Sequence, residues 1–363
     1  MKRRSFLSSL GLGFLAGRAA AQEGPPADPL AAVLAESKAP ALAGAVITAS
    51  GLSWIGAQGV RRAGSGEAVT VDDRWHLGSN TKAMTAAVYA RLVEQGKAKW
   101  GATVPDLFPG LRIDPAWSTT TVEALMSHRS GVSDRTLIDT AWLIASRTDP
   151  RPLPEQRRAL AARAFGKPPA GKPGGFEYSN ANYILLGAAI ERIAGDAWEA
   201  VVRRELFEPL GMASAGFGAP QGAQPWGHGR DGAPIDPAGV SDNPAALGPA
   251  GTVHASLTDY AKFLRLFLTD GGGFLSADSI ARLTAPASTD DQSYALGWGT
   301  FRQRAWARGP ALAHEGSNTL WHVLAVVGPK RGIAIVTASN DDARGAKATQ
   351  SLALKLIQAY APA

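Results

Sequence analysis

The chain has 363 residues, no cysteine, and 37 basic against 31 acidic residues, a formal charge of +6. Four basic residues lie among the first 21 positions, which hold no acidic residue, so the remainder is nearly neutral with 33 basic and 31 acidic residues. A nearly neutral chain without long basic runs argues against nucleic acid as a partner. The absence of cysteine excludes disulfide bonds, thiolate metal sites and cysteine nucleophiles.

Residues 1–21 have the pattern of an export signal. A basic head, Lys2-Arg3-Arg4, precedes an apolar run over 6–16, and Ala19-Ala20-Ala21 provides small residues for cleavage. The run is too short and too rich in glycine to remain as a membrane anchor. Arg3-Arg4-Ser5-Phe6-Leu7 resembles the twin-arginine signal, so we expect export of the folded protein to the periplasm or medium. An ordinary secretory signal is the alternative.

The body of the chain is predicted to have strands at both ends and helices between them. The helix over 80–95 has apolar residues at helical spacing, and Gly96 fits a left-handed C-cap. The segment 211–250 is rich in glycine and proline and is predicted to be irregular. In chain order we predict a helix over 30–38, strands over 42–49 and 52–60, helices over 80–95, 121–127, 139–146, 155–164, 181–193, 197–207 and 257–268, strands over 295–301, 305–313, 320–327 and 332–339, and a helix over 347–360.

This order predicts an α/β fold of the α+β type. Strands from the N- and C-terminal segments should form one antiparallel sheet flanked by helices, with a mostly helical region inserted between them. We expect one domain over 22–363, with an α/β part formed by about 28–78 and 288–363 and a helical part over about 79–287. No later segment reaches the roughly 18 apolar residues that a membrane span needs.

The one Ser-x-x-Lys of the chain, Ser79-Asn80-Thr81-Lys82, is the first candidate for chemistry. Residues three apart on a helix share a face, so the ammonium of Lys82 should lie beside the hydroxyl of Ser79. A serine hydroxyl needs a neighbouring base to act as a nucleophile. Lysine can be that base if its pKa is lowered, or it can lower the pKa of a third group. By itself the motif is more often a helix cap beside a solvated lysine.

Two further patterns could complete a site around Ser79. Tyr178-Ser179-Asn180 is the only Tyr-x-Asn, and a phenol beside an ammonium can act as a general base, while an asparagine amide suits a substrate amide. A cationic residue before a glycine occurs at Lys172-Pro173-Gly174, at Lys330-Arg331-Gly332 and in His314-Glu315-Gly316-Ser317. The first lies too near Tyr178 and the second forms a turn, which leaves His314. Its small neighbours Gly316 and Ser317 would let a substrate approach the backbone.

Together these motifs resemble the penicillin-recognising serine hydrolases, in the branch of class C β-lactamases, D-alanyl-D-alanine carboxypeptidases and β-lactamase-like esterases. The order Ser-x-x-Lys, Tyr-x-Asn, Lys/His-x-Gly matches that family, and the resemblance extends over roughly 30–355. Further matching segments are Leu125-Met126-Ser127-His128-Arg129-Ser130-Gly131-Val132, the stretch 176–187, Pro209-Leu210-Gly211-Met212, Gly248-Pro249-Ala250-Gly251 and Leu296-Gly297-Trp298.

The resemblance implies the β-lactamase/transpeptidase-like fold and an acyl-enzyme mechanism. Ser79 would attack a carbonyl group while Lys82 and Tyr178 share the proton transfers. The backbone N–H groups of Ser79 and Ser317 would form the oxyanion hole, and Asn180 would orient the substrate. Many members carry Lys-Thr-Gly where this chain has His314-Glu315-Gly316. A histidine ordinarily titrates near 6.5, so a pocket-lining His314 should hold a substrate carboxylate only when protonated.

We therefore expect an exported serine hydrolase of the carboxylesterase, D-peptidase or D-aminopeptidase type, with β-lactamase activity as a lesser alternative. A catalytically silent module that binds peptidoglycan fragments or an acyl ligand is the alternative of a different class. The expected partner is a small molecule or short peptide. The six histidines show no metal-ligand spacing, and we expect neither metal nor cofactor. The oligomeric state stays open.

Overall fold

The computed structural model describes residues 28–362, and the predicted export signal lies outside them. Within that range the strands are β1 (Ala41–Thr48), β2 (Gly51–Gly59), β3 (Arg74–His76), β4 (Gly216–Phe217), β5 (Gly227–His228), β6 (Pro234–Ile235), β7 (Val253–Ser256), β8 (Gln292–Tyr294), β9 (Gly299–Arg304), β10 (Gly309–Ser317), β11 (His322–Gly328) and β12 (Ile333–Ser339). The α-helices are α1 (Leu30–Ser37), α2 (Thr81–Glu94), α3 (Val104–Leu107), α4 (Val122–Met126), α5 (Asp134–Leu137), α6 (Thr140–Thr148), α7 (Leu153–Phe165), α8 (Asn180–Ala194), α9 (Trp198–Val202), α10 (Gly248–Gly251), α11 (Leu257–Arg265), α12 (Ala277–Thr284) and α13 (Asp342–Tyr360).

Seven strands form the antiparallel sheet that the sequence predicts from the two ends of the chain. Its order is β2-β1-β12-β11-β10-β9-β8, so the N-terminal hairpin pairs with the last strand of the chain. Strands β1 and β12 are almost wholly buried, which explains why they read as continuous apolar runs. The predicted mixed fold with a large antiparallel sheet is confirmed.

Both faces of the sheet are covered, and alternate residues of β1 belong to two separate cores. Leu42 and Val46 pack in the smaller core with the apolar side of α13, including Leu352 and Leu356. Ala43 and Ala45 belong to the larger core, which extends through α2, α8 and α11. Successive strand residues point to opposite faces, so one apolar run can serve both cores.

The inserted helical region is arranged around α2, whose residues are almost all buried. Gly96 has φ of +71°, as the predicted C-cap requires. The predicted helix over 197–207 is α9 followed by a π-helical turn over Arg203–Phe207. The segment 211–250 is mostly irregular, with the two-residue strands β4, β5 and β6. No helix in the described range is long and apolar enough to cross a membrane.

Several predicted boundaries in the C-terminal third are wrong. The strand expected over 305–313 begins with a 3₁₀ turn over Ala305–Ala307, and β10 runs on to Ser317. Arg308 turns the chain with φ of +54°, a conformation that apolar alternation does not reveal. Helix α13 begins five residues earlier than expected because the side chain of Asp341 accepts a hydrogen bond from the backbone N–H of Arg344. Strand β8 and helix α12 were not predicted.

Candidate active site

Ser79 lies in a single 3₁₀ turn, Gly78–Asn80, that leads directly into α2. The turn packs backbone against backbone on β10. Gly78 has φ of +52°, and a Cβ there would collide with the backbone N of Ser317. A Cβ on Gly316 would overlap the carbonyl oxygen of Leu77 and lie 2.9 Å from the backbone N of Ser79. These two glycines therefore let the backbone nitrogens of Ser79 and Ser317, the pair that the family resemblance implies for an oxyanion hole, lie close together.

Lys82 is fully buried one turn along α2 from Ser79. Its Nζ donates to Ser79 Oγ at 2.9 Å, to Asn180 Oδ1 at 2.8 Å and to the carbonyl oxygen of Ala250 at 2.7 Å. Burial lowers the pKa of Lys82 to about 7, although the negative charge of Asp134 acts in the opposite direction. The lysine is therefore held in an environment that lets it lose its proton near neutral pH.

The three partners of Lys82 determine where its lone pair points after it loses a proton. The carbonyl oxygen of Ala250 and the amide oxygen of Asn180 can only accept hydrogen bonds. The hydroxyl of Ser79 can also donate. Neutral Lys82 therefore keeps two N–H groups on the two oxygens and directs its lone pair to the Ser79 hydroxyl. This is the arrangement that a general base for a serine nucleophile needs.

Tyr178 lies beside the same ammonium, just before α8. The Nζ atom of Lys82 is 4.9 Å from the centroid of its ring. The ring also packs on the imidazole of His128 at a centroid distance of 4.3 Å and on Tyr294 at 6.1 Å. Tyr178 as a whole is half-buried, and its hydroxyl oxygen is buried within the site. The structure thus brings together Ser79, Lys82 and Tyr178.

Asn180 is the first residue of α8, and its amide is held from both ends. Its oxygen accepts from Lys82, and its nitrogen donates to Asp134 Oδ2 at 3.2 Å. The sequence predicts that Asn180 orients a substrate, whereas here its oxygen holds the lysine. Asp134 was missed, because an acidic residue at the start of a four-residue helix has no distinctive pattern. Its role is visible only in the folded chain, where its carboxylate accepts hydrogen bonds from residues 179–181.

His314 differs from its expected behaviour. The imidazole is fully buried in β10, donates from Nδ1 to the carbonyl oxygen of Glu315 at 2.8 Å and accepts at Nε2 from the Tyr294 hydroxyl at 2.9 Å. Nδ1 is assigned as the protonated ring nitrogen because its partner, a carbonyl oxygen, can only accept a hydrogen bond. Burial and the nearby charge of Lys82 lower the pKa of His314 to about 3. This buried, neutral imidazole differs from the accessible histidine, titrating near 6.5, that the sequence analysis assumes for a pH-dependent cation.

Asp242, in the irregular segment over 211–250, connects the two sides of the predicted oxyanion hole and was also missed. Its carboxylate lies 2.9 Å from Nε2 of His76, whose Nδ1 accepts from the backbone N–H of Gly78 at 3.2 Å. Its other oxygen accepts from Asn318 at 3.0 Å. One side chain thus connects the residue before Ser79 with the residue after Ser317. Loops far apart in sequence are joined here, and periodicity gives no signal for such a contact.

The site consists of protein side chains and backbone. Within residues 28–362 no group of three His, Asp or Glu side chains is arranged to hold a metal ion. What the arrangement can do is transfer a proton from Ser79 to Lys82 and stabilise a negative charge beside two backbone N–H groups. Those are the elements of acyl transfer to serine.

Comparisons with known proteins show the family and the fold. The sequence model of the beta-lactamase family matches residues 28–359. Penicillin-binding protein 4 of Amycolatopsis lactamdurans is 30% identical over 282 residues, which are 72% of this chain and 71% of that protein. Esterase EstB of Burkholderia gladioli is 31% identical over 172 residues, 44% of this chain and 43% of that protein. The D-stereospecific amidohydrolase from Streptomyces sp. shares the fold, with a TM-score of 0.68 and 24% identity over 91% of this chain and 96% of that one.

The chain belongs to the beta-lactamase family, within the penicillin-recognising serine hydrolases. The family and fold that the motifs suggested are thereby confirmed, and the protein is a hydrolase of that fold.

Proposed function

We propose that this protein is an exported serine hydrolase that cleaves esters or amides through an acyl-enzyme on Ser79, of the carboxylesterase or D-peptidase type. The observation that carries the proposal is the buried Nζ of Lys82 at 2.9 Å from Ser79 Oγ, with a pKa lowered to about 7. A lysine that only capped a helix or faced solvent would be neither buried nor bound to three acceptors.

In the proposed reaction, Ser79 Oγ attacks the substrate carbonyl carbon and its proton passes to neutral Lys82. The negative charge on the carbonyl oxygen is stabilised by the N–H groups of Ser79 and Ser317. Tyr178 transfers a proton to the leaving alcohol or amine as its bond to the carbonyl carbon breaks. This leaves Tyr178 as a phenolate and Lys82 protonated. Water then attacks the ester carbonyl carbon and gives a proton to the Tyr178 phenolate. The bond between that carbon and Ser79 Oγ breaks, Ser79 takes its proton back from Lys82, and the acid product leaves.

The uncharged state of His314 bears on the substrate class. A substrate that is held by its carboxylate needs a cation opposite the nucleophile, and a buried neutral imidazole does not provide one. Neutral esters and amides, including amides of D-amino acids, are therefore the proposed substrates, and β-lactams are the weakest candidates because they carry a carboxylate. The relatives named as an esterase and as a D-stereospecific amidohydrolase support this choice.

A pair of esters that differ only in one free carboxylate tests the proposed substrate class. Because His314 stays neutral above a pKa of about 3, the ratio of kcat/KM for the two esters should be constant between about pH 5.5 and 8. The titration of Lys82 affects both esters equally and cancels in the ratio. The neutral ester should be the better substrate. A preference for the anionic ester that declines as the pH rises through about 6.5 would restore His314 as a charge-reading residue.

Export through the twin-arginine pathway is the second part of the proposal, and it rests on Arg3-Arg4-Ser5-Phe6-Leu7. In a bacterium with that pathway, Arg3→Lys combined with Arg4→Lys should leave uncleaved protein in the cytoplasm. Arg18→Lys is the matched control, since it changes a basic residue outside the pair. Fractionation followed by immunoblotting measures the result. Normal delivery of the double variant would exclude the twin-arginine assignment.

A further inference from the structure

Asp134 has a set of contacts that the proposed mechanism does not use. The residue is only 5% exposed. Its Oδ1 accepts from the hydroxyl of Ser179 at 2.7 Å and from the backbone N–H of Ala181 at 3.0 Å, and its Oδ2 accepts from the side-chain nitrogen of Asn180. Asp134 therefore holds the N-terminal end of α8. It is connected to Lys82 through Asn180, whose amide is hydrogen-bonded to both side chains.

The contact with Asp134 fixes which way the Asn180 amide faces. If the amide were turned over, its NH₂ group would point at the Lys82 ammonium and its oxygen at the carboxylate, and both contacts would be repulsive. A turned amide would also offer N–H donors to neutral Lys82. The lysine lone pair could then bind Asn180 and would no longer be directed to Ser79.

We propose that Asp134 is a positioning residue for Lys82: it holds the Asn180 amide oxygen on the lysine and so leaves the lysine lone pair to the Ser79 hydroxyl. The inference rests on the proposed function, in which Lys82 is the base for Ser79. The negative charge of Asp134 also opposes the effect of burial on the pKa of Lys82. The same carboxylate thus orients the base and keeps its titration close to neutral pH.

Other titratable side chains also face Lys82. The two imidazoles are buried and neutral, because burial and the lysine charge lower the pKa of both. The two nearest phenol rings lie 4.9 and 5.7 Å from Nζ. These groups are His128 after α4, Tyr178 before α8, Tyr183 within α8 and His314 on β10.

The test compares Asp134→Asn with wild type in two measurements. The first is an NMR titration of the Lys82 ¹³Cε signal, assigned by its loss in Lys82→Met, which needs no turnover. Removing the carboxylate charge should move the Lys82 midpoint to lower pH. The second is ester hydrolysis, in which kcat should fall about 100-fold with little change in KM, as expected for a misdirected catalytic group.

Asp259→Asn is the matched control, because Asp259 is equally buried and accepts from the backbone N–H and the hydroxyl of Ser214, both at 2.6 Å. It should leave the Lys82 midpoint and kcat as in wild type. If Asp134→Asn does not fold, Asp134→Ser is used in its place. The serine hydroxyl is uncharged and can still accept a hydrogen bond from the N-terminal end of α8.

An unchanged Lys82 midpoint in Asp134→Asn overturns the proposal, whether kcat falls or not. Failure of both variants to fold also overturns it, because Asp134 would then serve only to hold α8. Failure of the proposed function gives a different result: wild type would not acylate at Ser79, whereas the NMR comparison of Lys82 would still be readable.

Discussion

Replacing Ser79 by alanine should abolish ester hydrolysis, with a loss of about 10⁴-fold or more in kcat, while the protein stays folded. The fold should survive because Lys82 keeps two acceptors, Asn180 and Ala250, and the lost hydrogen bond contributes only about 1 kcal/mol. Release of product from a chromogenic ester measures the loss, and thermal unfolding checks the fold. Ser146→Ala, on α6, is the matched control and should behave as wild type. Wild-type rates in Ser79→Ala would eliminate the acyl-enzyme mechanism.

Replacing Lys82 by arginine tests whether Lys82 acts as a general base or only as a positive charge. Arginine keeps the positive charge but cannot lose a proton near neutral pH. If Lys82 is the base, Lys82→Arg should lose about 10³-fold or more in kcat at every pH. The loss should not add to that of Ser79→Ala, because the two residues act as a unit. Substantial activity in Lys82→Arg would instead assign the base to Tyr178, with the lysine acting only through its charge.

The pH dependence of wild type follows from the same assignment. The pKa of Lys82 is lowered to about 7, so the reactive neutral amine is scarce below that pH and predominates above it. The kcat/KM for a neutral ester should therefore rise as the pH increases through about 7 and then level off. In Lys82→Arg this rise should be absent. Steady-state rates from about pH 5 to 9 in wild type and variant measure it.

The sequence was most informative where residues close in the chain form the site. Ser79 lies in the 3₁₀ turn that leads into α2 and Lys82 lies three residues later, so a short motif predicted their contact and the structure has it at 2.9 Å. Gly316 and Ser317 were identified by small residues next to a strand end, and they do pack on the turn that carries Ser79. Alternation and apolar runs likewise predicted the large sheet.

The sequence was uninformative where burial or distant loops decide the chemistry. His314 was identified, but its charge depends on complete burial and on Tyr294, which no local pattern indicates. Asp134 and Asp242 act through partners about 45 or more positions away in the chain. A single sequence does not show which distant residues are in contact, whereas in the folded chain these contacts are seen as hydrogen bonds.

The most direct test of the central claim is covalent labelling of Ser79. The protein is treated with a fluorophosphonate probe, digested, and the modified peptide is identified by mass spectrometry. Our account predicts one adduct per chain, on Ser79, and no labelling of Ser79→Ala at the same probe concentration. An unlabelled wild type that binds ligand without turnover would instead indicate a silent binding module. Labelling at a residue other than Ser79 would contradict the proposed mechanism directly.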